Sequence, residues 1–343
     1  MSDGGGSART VRAGRRSVRI RRPDKVFFPG GRGTPEYTKG DLADYHRAVA
    51  PYLLPHVRGR PLMLDRRPDG IDGPAFMQKN TPEHYPEWIT RVEVGKEGGT
   101  VTHTVCDDTA TLLHLVDQAA VTLHRWLSRA GPSRSRQGRD GADPLERPDR
   151  LVFDLDPSGE GRDAFQTVRW TARVLGELLD ELRLPSALMT TGSRGLHVIV
   201  PLDRGQGFDA VRAFARDVAD TLAAAHPDRL TTAARKKDRG DRLYLDVQRN
   251  AYAQTAVAPW TVRALPGAPV AAPVPWEQLD DPELHARRWT VADAVEHART
   301  DPWGGLLRRG RALGPARRRL DALRGWPAAR PAGSGRERNV PAR

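Results

Sequence analysis

Two aspartates close a short apolar run in the segment RPDRLVFDLDPSGEG, residues 147–161. Asp154 and Asp156 are two positions apart, so on a β-strand both side chains point to one face while Leu155 packs behind them. Two ionised carboxylates side by side raise each other's pKa, and a divalent cation removes that penalty. Hard oxygen ligands suit Mg²⁺ or Mn²⁺. A solvated acidic pair at the end of a strand, followed by a helix cap, explains the same residues, so the pair alone leaves metal binding open.

A third carboxylate occupies a similar position in LYLDVQRN, residues 243–250, where an apolar run ends in Asp246. Three aspartates at the ends of two strands can bind two metal ions. One ion then activates an attacking oxygen, and the other stabilises a leaving phosphate oxygen. Asp65 also ends an apolar run but lacks a partner carboxylate. The candidate metal ligands are therefore Asp154, Asp156 and Asp246.

The segment TTGSRGLHVIVPL lies between the two acidic strands and predicts an anion pocket. Ser193 and Gly195 fall in a turn, and His197 begins the next strand. Small residues let backbone N–H groups approach phosphate oxygens, while a hydroxyl, Arg194 and an imidazole complete the donors. A lone histidine is usually a structural one. Its place between two acidic strands favours a functional role for His197.

Composition sets the outer limits of function. The 343 residues carry a formal net charge of +12, and both ends are rich in arginine, as expected for a nucleic-acid partner or for simple solubility. A single cysteine, Cys106, excludes an internal disulfide and a C-x-x-C metal site. No apolar run is long enough for a membrane span or a secretory signal. We expect a soluble, cytoplasmic protein.

Hydrophobic periodicity places the motifs on elements. Residues 38–57 predict a helix capped by Thr38, and residues 110–127 predict a second helix. From 151 to 250 the order is strand, helix, strand, turn, strand, helix, strand, which indicates a mixed α/β layer.

Three segments lack such a pattern. Residues 1–17 form a basic arm that we expect to be disordered, and residues 131–150 predict a loop or a lobe boundary. The basic tail at 305–343 is low in aliphatic residues and is expected to be loosely ordered.

Two families share features with these motifs. LVFDLDPSG, LMTTGS and then Gly240, Asp241 and Asp246 superficially resemble the haloacid-dehalogenase phosphohydrolases. The later motif of that family is spaced differently, and the likeness leaves SRGLHVIVPL and the first 130 residues unexplained.

The second likeness is closer. D-L-D-P, S-R-G-L-H-V and L-D-x-x-R-N resemble the three motifs of the archaeo-eukaryotic primase superfamily, in particular the end-joining polymerase domain of bacterial ligase D. RPDKVFFPG, FMQKN, PEHYPEWI and LHRWLSR also resemble that family, so the likeness covers roughly residues 18–290. Because no ligase or nuclease module appears, the chain looks like a stand-alone polymerase domain.

The resemblance implies an α+β primase–polymerase fold with a mixed, RRM-like catalytic sheet flanked by helices. The domain would cover residues 18–300, with an N-terminal, DNA-binding α/β portion at 18–130 and a catalytic core at 150–290.

The resemblance also implies roles for individual residues. Asp154, Asp156 and Asp246 would bind two Mn²⁺ or Mg²⁺ ions for attack of a primer 3′-hydroxyl on the α-phosphate of a nucleotide. The residues implied in nucleotide binding are Ser193, Arg194, Gly195, His197, Arg249, Asn250, Arg263 and His124.

Four further residues are implied in DNA binding. Lys25 and Lys39 match lysines that hold a recessed 5′-phosphate, although ordinary surface lysines are the alternative. Phe76 matches an aromatic that stacks on template bases, and Lys79 would support the template; Phe76 is also plausible as a core residue. Met77 stands where the family often has a second aromatic.

The function implied is template-directed nucleotide addition, which fills gaps and extends ends in non-homologous joining of double-strand breaks. The implied partners are gapped or broken DNA with a 5′-phosphate, NTP or dNTP, Ku and a separate DNA ligase, with the protein associated with the nucleoid. Two alternatives stay open, a haloacid-dehalogenase-type phosphohydrolase and a non-catalytic protein that bridges DNA ends.

Overall fold

The computed structural model describes residues 7–31, 33–96, 98–131, 143–159 and 161–323. The α-helices of these residues are α1 (Lys39–Val57), α2 (Thr109–Asp117), α3 (Arg162–Glu181), α4 (Phe208–Ala225), α5 (Ala294–Arg299) and α6 (Leu313–Ala322). Their strands are β1 (Ala8–Ala13), β2 (Arg16–Arg21), β3 (Val26–Phe28), β4 (Tyr37–Thr38), β5 (Leu62–Arg66), β6 (Phe76–Gln78), β7 (Arg91–Lys96), β8 (Gly99–Thr104), β9 (Ala120–Trp126), β10 (Arg150–Asp156), β11 (Ala187–Thr190), β12 (Leu196–Pro201), β13 (Leu230–Thr231), β14 (Leu243–Asp246), β15 (Thr255–Val257) and β16 (Pro273–Val274).

The largest sheet carries the three candidate aspartates. Its strand order is β13-β14-β10-β12-β11-β16, and all neighbours are antiparallel except the parallel pair β13–β14. β10 lies inside this sheet, and its apolar residues Leu151, Phe153 and Leu155 are fully buried. The apolar faces of the amphipathic helices α3 and α4 pack on the sheet. This arrangement confirms the predicted mixed α+β class.

A second, antiparallel sheet has the order β15-β9-β5-β6. Its central strand β9 corrects the prediction of one helix over residues 110–127. Helix α2 ends at Asp117, and Ala119 adopts a left-handed φ of 63° that redirects the chain. The following residues include β-branched Val121 and Thr122, which favour a strand. The apolar run thus continues through two elements, and His124 lies on a strand.

The N-terminal segment is ordered from residue 8, so the expectation of a disordered arm over residues 1–17 is wrong for its second half. β1 and β2 form an antiparallel hairpin. Val18 and Ile20 of this hairpin are buried, whereas the other residues of β2 are exposed arginines and a serine. Alternation of period two gives the hairpin one apolar face, which a basic composition obscures. Residues 1–6 lie outside the described residues.

The C-terminal segment is likewise ordered to residue 323, contrary to the expectation of a loose tail from residue 305. Helix α6 buries Leu313, Ala316 and Leu320, which recur at helical spacing, while arginines occupy its other face. Arg317 pairs with Asp217 of α4 and lies over a phenylalanine ring of that helix. Three apolar residues in ten are enough to dock a short helix. Residues 324–343 lie outside the described residues.

Helix α1 begins as predicted, with Thr38 as its N-cap. The Thr38 hydroxyl accepts a hydrogen bond from the Asp41 N–H, and the Asp41 carboxylate accepts one from the Thr38 N–H. Among the described residues, none of the helices is both long and apolar enough to cross a bilayer.

Candidate active site

Three neighbouring strands of the large sheet bring a histidine and two aspartates into one row. Asp154 on β10 lies directly opposite His197 on β12 and directly opposite Asp246 on β14. Cross-strand partners share a face, so the three side chains point to the same side of the sheet. His197 Nε2 is 3.4 Å from Asp154 Oδ1, and Gln248 N–H donates to Asp246 Oδ1 at 2.7 Å. The sheet register therefore joins motifs that are about 90 residues apart.

Asp156 lies two residues further along the same face of β10 and completes the acidic group. Arg194 Nη2 donates to Asp156 Oδ1 at 2.8 Å. Arg249 Nε lies 3.5 Å from Asp154 Oδ2 and 3.9 Å from Asp246 Oδ2. Two arginines and a histidine thus partner three carboxylates.

The environment shifts the pKa values of two of these aspartates in opposite directions. Burial by itself raises the pKa of Asp154, but His197 and Arg249 lower it on balance. Burial raises the pKa of Asp156, and the negative charges of Asp154 and Asp246 add to this against the opposing effect of Arg194. The neighbours of Asp154 favour its ionised form. The ionised form of Asp156 would be stabilised by a further positive charge nearby.

The turn between β11 and β12 packs closely against the end of β10. Thr191 Oγ1 accepts hydrogen bonds from the Ser193 and Gly195 N–H groups, at 3.3 and 3.2 Å, and so organises the turn. A Cβ on Gly195 would lie 2.0 Å from the Leu155 carbonyl oxygen, so only glycine fits there. Ser193 is half-buried and Arg194 is exposed. The turn therefore presents a hydroxyl and a guanidinium beside the acidic row.

His124, on β9 of the second sheet, and Arg263, in the segment that follows β15, approach the same group. Arg263 Nη1 donates to the Thr191 carbonyl at 2.6 Å, which anchors it beneath the turn. Burial, together with the nearby charges of Arg263, Arg249 and His197, lowers the pKa of His124 to about 3. His124 is therefore neutral at physiological pH and can accept or donate a hydrogen bond at the edge of the site.

Asn250 does not belong to the pocket, which corrects its predicted role in nucleotide binding. Its side chain is fully buried; its Oδ1 accepts from the Val152 N–H at 2.8 Å, and its Nδ2 donates to the Val152 and Val247 carbonyls. β14 ends at Asp246 and does not extend alongside Val152. The side-chain amide of Asn250 makes the hydrogen bonds to Val152 that a neighbouring strand would otherwise make. Its amide oxygen and both amide hydrogens are engaged by backbone groups.

A cleft of about 440 Å³ opens beside the turn, between the start of α3 and residues 282–287. Ser193, Arg194, Phe165, His285 and Arg287 are among its lining residues. Its volume suits a nucleotide-sized ligand. Arg287 Nε donates to the Ser193 carbonyl at 3.0 Å, a contact that sequence reasoning missed. Nothing in the local sequence signals it, because Arg287 lies 94 positions beyond Ser193.

The four residues predicted to contact DNA differ in accessibility. Phe76 is 53% and Met77 52% exposed on the edge strand β6, so Phe76 is not the core residue that the alternative required. Lys79, just past β6, is exposed. Lys25 is half-buried and pairs with Asp69 at 2.9 Å.

Lys39 is buried, contrary to a role as a phosphate ligand. Its Nζ donates to Asp117 at 3.1 Å and to the Arg21 carbonyl at 2.9 Å. Burial lowers the pKa of Lys39 against the raising effect of Asp117. The structure thus makes Lys39 an internal tie between α1, α2 and the N-terminal hairpin.

The family follows from comparison with known proteins. A family model described as the LigD primase–polymerase domain matches residues 38–303. The chain belongs to the LigD primase–polymerase family. The haloacid-dehalogenase alternative is therefore set aside.

Relatives in this family include two curated LigD proteins. The multifunctional non-homologous end joining protein LigD of Mycobacterium bovis is 34% identical over 314 residues, 91% of this chain and 39% of that protein. The LigD of Pseudomonas aeruginosa is 30% identical over 91% of this chain and 36% of that protein. This chain therefore spans well under half the length of the LigD proteins that it matches.

A solved structure of the family has the same fold. The polymerase domain of Mycobacterium tuberculosis ligase D, in complex with DNA, matches with a TM-score of 0.74 and 33% sequence identity. The match covers 84% of this chain and 97% of that chain. The primase–polymerase fold predicted from the three motifs is confirmed.

Proposed function

We propose that this LigD-family domain is a template-directed nucleotidyltransferase that fills gaps and extends ends during non-homologous end joining. The observation that carries the proposal is the row of Asp154, Asp246 and His197 on adjacent strands, beside a glycine-bearing turn. In the reaction a primer 3′-hydroxyl attacks the α-phosphate of a nucleotide, a new P–O bond forms, and pyrophosphate leaves.

The acidic group fits divalent metal ions by its chemistry. Asp154, Asp156 and Asp246 offer only hard oxygen donors, on one face of one sheet, and Asp156 gains from added positive charge. As they stand in the described residues, no three His, Cys, Asp or Glu side chains converge on one point, so the arginine partners would have to release the carboxylates. Bound Mg²⁺ or Mn²⁺ would supply Lewis-acid stabilisation of charge on the phosphate and hydroxyl oxygens.

The remaining residues bind and orient the nucleotide. Arg194 and Arg249, once released by the carboxylates, can neutralise the charge of a triphosphate, and the Ser193 hydroxyl can donate to a phosphate oxygen. His197 Nε2 lies 3.4 Å from Asp154 Oδ1, beside the acidic row, and offers a further hydrogen bond. The adjoining cleft would hold the rest of the nucleotide.

Primer extension on a gapped duplex with a 5′-phosphate tests the proposal. With Mg²⁺ or Mn²⁺ the wild-type protein should add nucleotides, and Asp154→Asn and Asp246→Asn should lose activity by about 10²–10³-fold or more, because the acidic row is broken. Asp228→Asn, at an exposed aspartate that pairs with its neighbour Arg229 away from the acidic row, serves as the matched control.

The alternative of a non-catalytic bridging protein predicts a different result. That protein would pair DNA ends in a pull-down assay without extension in either metal, and the aspartate variants would pair ends as well as wild type. Ku and a separate DNA ligase, on chromosomal DNA in the nucleoid, are the proposed partners in the complete repair reaction.

A further inference from the structure

A cluster of buried arginines lies away from the acidic row, where the end of α1, the start of β5 and the end of β9 meet. Arg60, Arg125 and Arg150 are at most 8% exposed, and Asp149, 7% exposed, is the carboxylate that they share. His124 and Arg125 are consecutive on β9, so their side chains point to opposite faces of the sheet. The cluster is thus separated from the nucleotide pocket by a sheet.

The Asp149 carboxylate is heavily shared. Arg60 Nη2 donates to Asp149 Oδ2 at 2.8 Å, and Arg150 Nη1 lies 3.7 Å from the same oxygen. Two arginines at the rim also contact this oxygen, Arg129 at 3.1 Å and Arg204 at 3.9 Å. One negative charge therefore faces four guanidinium groups before Arg125 is counted.

Several buried hydrogen-bond donors of the cluster have no partner among the described residues. They are Arg60 Nε, Arg125 Nε and Nη1, and Ser128 Oγ. Arg125 lies opposite Leu62 on the neighbouring strand, two residues beyond Arg60, so the arginines share one side of the sheet. Asp149 Oδ1 is also buried without a hydrogen bond, but it lies 2.7 Å from Arg60 Nη2, so this carboxylate is already engaged by Arg60. The four donors therefore lack an acceptor among the described residues.

The charge balance points the same way. A buried charge without a counter-charge is strongly destabilising, and an arginine cannot escape by losing its proton. Burial, followed by repulsion from Arg60 and Arg150, lowers the pKa of Arg125. His56, beside the cluster, is kept neutral by burial, which lowers its pKa together with repulsion from the same arginines.

We propose that Arg125, Arg60 and Ser128 bind a small inorganic anion, which acts as the missing counter-charge. The anion accepts hydrogen bonds from the four free donors and stabilises the junction of α1, β5 and β9. It is independent of nucleotide addition.

Halide diffraction tests the site directly. Crystals grown in bromide should show an anomalous peak in contact with Arg125 Nε and Ser128 Oγ. Crystals grown in phosphate distinguish an oxyanion from a halide: tetrahedral density at this place with no bromide peak would identify the ligand as phosphate-like. Empty density in both salts, or a carboxylate of the chain itself in this place, would overturn the proposal.

Thermal unfolding tests the energetic role. At constant ionic strength, an anion concentration about 100 times Kd should raise the wild-type Tm by roughly 4 °C. Arg125→Leu should abolish the rise, because it removes two of the free donors and the unbalanced charge. Arg19→Leu, the same change at an exposed position of β2, should keep it. An equal rise in both variants would contradict the proposal.

A milder variant serves if Arg125→Leu does not fold. Ser128→Ala removes one neutral donor and should raise the anion concentration for half-maximal stabilisation by about 5–10-fold. An unchanged half-maximal concentration would count against the site.

Discussion

At the scale of single residues, the neutrality of His124 distinguishes the pocket from a merely basic surface. The imidazole lies among Arg263, Arg249 and His197, and burial together with these charges lowers its pKa from 6.5 to about 3. A charged imidazole there would add to the repulsion among the arginines. One uncharged ring therefore lies among the cationic side chains at the edge of the pocket.

This pKa shift makes His124 a source of acid sensitivity. The unfolded chain binds a proton at His124 near pH 6.5 but the folded protein only near pH 3, so lowering the pH from 7 to 5 favours unfolding. Over that range the free energy of unfolding of the wild type should fall by up to about 2 kcal/mol more than that of His124→Gln. Urea unfolding at the two pH values measures the difference. His84→Gln, at an exposed histidine, should behave like wild type.

The two lysines predicted to bind a 5′-phosphate differ in burial, so we expect their replacement to have different effects. Lys25→Gln should reduce the preference for a phosphorylated over an unphosphorylated gap by about 10-fold, because it removes a charge-assisted hydrogen bond. Fluorescence anisotropy with the two duplexes gives the ratio. Lys39→Gln should instead lower stability without changing that ratio, since Lys39 is buried against Asp117. Lys96→Gln, at an exposed lysine, is the control, and a preference unchanged by Lys25→Gln would refute the contact.

At the scale of elements, the hairpin β1–β2 belongs to the folded domain. Ile20 is fully buried and Val18 nearly so, and the hairpin packs on α2. The backbone N–H and the guanidinium of Arg21 donate to Asp117 at the end of α2. Apolar packing and one buried carboxylate therefore hold the hairpin in place.

Core truncation tests this role of the hairpin. Ile20→Ala should lower the free energy of unfolding by about 2–5 kcal/mol, because it leaves a cavity between β2 and the helix. Arg19→Ala, one position away on the exposed face, should change it by no more than about 0.5 kcal/mol. Chemical denaturation of both variants measures the contrast. Equal small effects would mean that the hairpin does not fold with the domain.

At the scale of the whole molecule, the net charge of +12 predicts how DNA binding responds to salt. Phosphate contacts release counterions, so affinity for a gapped duplex should fall by about 10³-fold or more between 50 and 200 mM salt if 6–10 phosphates are contacted. Anisotropy titrations at several salt concentrations give the slope. Binding that hardly changes with salt would contradict an electrostatic interface.

The sequence by itself determined those features that depend on local spacing. Alternation within FDLD places Asp154 and Asp156 on one face of a strand, and Thr38 with Asp41 forms the capping box of α1. The order of the three motifs was enough to predict the family and the fold. Such patterns can be recognised in the sequence because each is contained in one element or one turn.

The tertiary structure decided which residues meet. The register of β10 against β12 and β14 places Asp154 between His197 and Asp246. Packing of α1 against α2 and the N-terminal hairpin buries Lys39. It also turns Asn250 toward a backbone while its neighbour Arg249 faces the carboxylates. These outcomes depend on strand pairing and solvent exclusion between segments far apart in the chain, which local spacing does not encode.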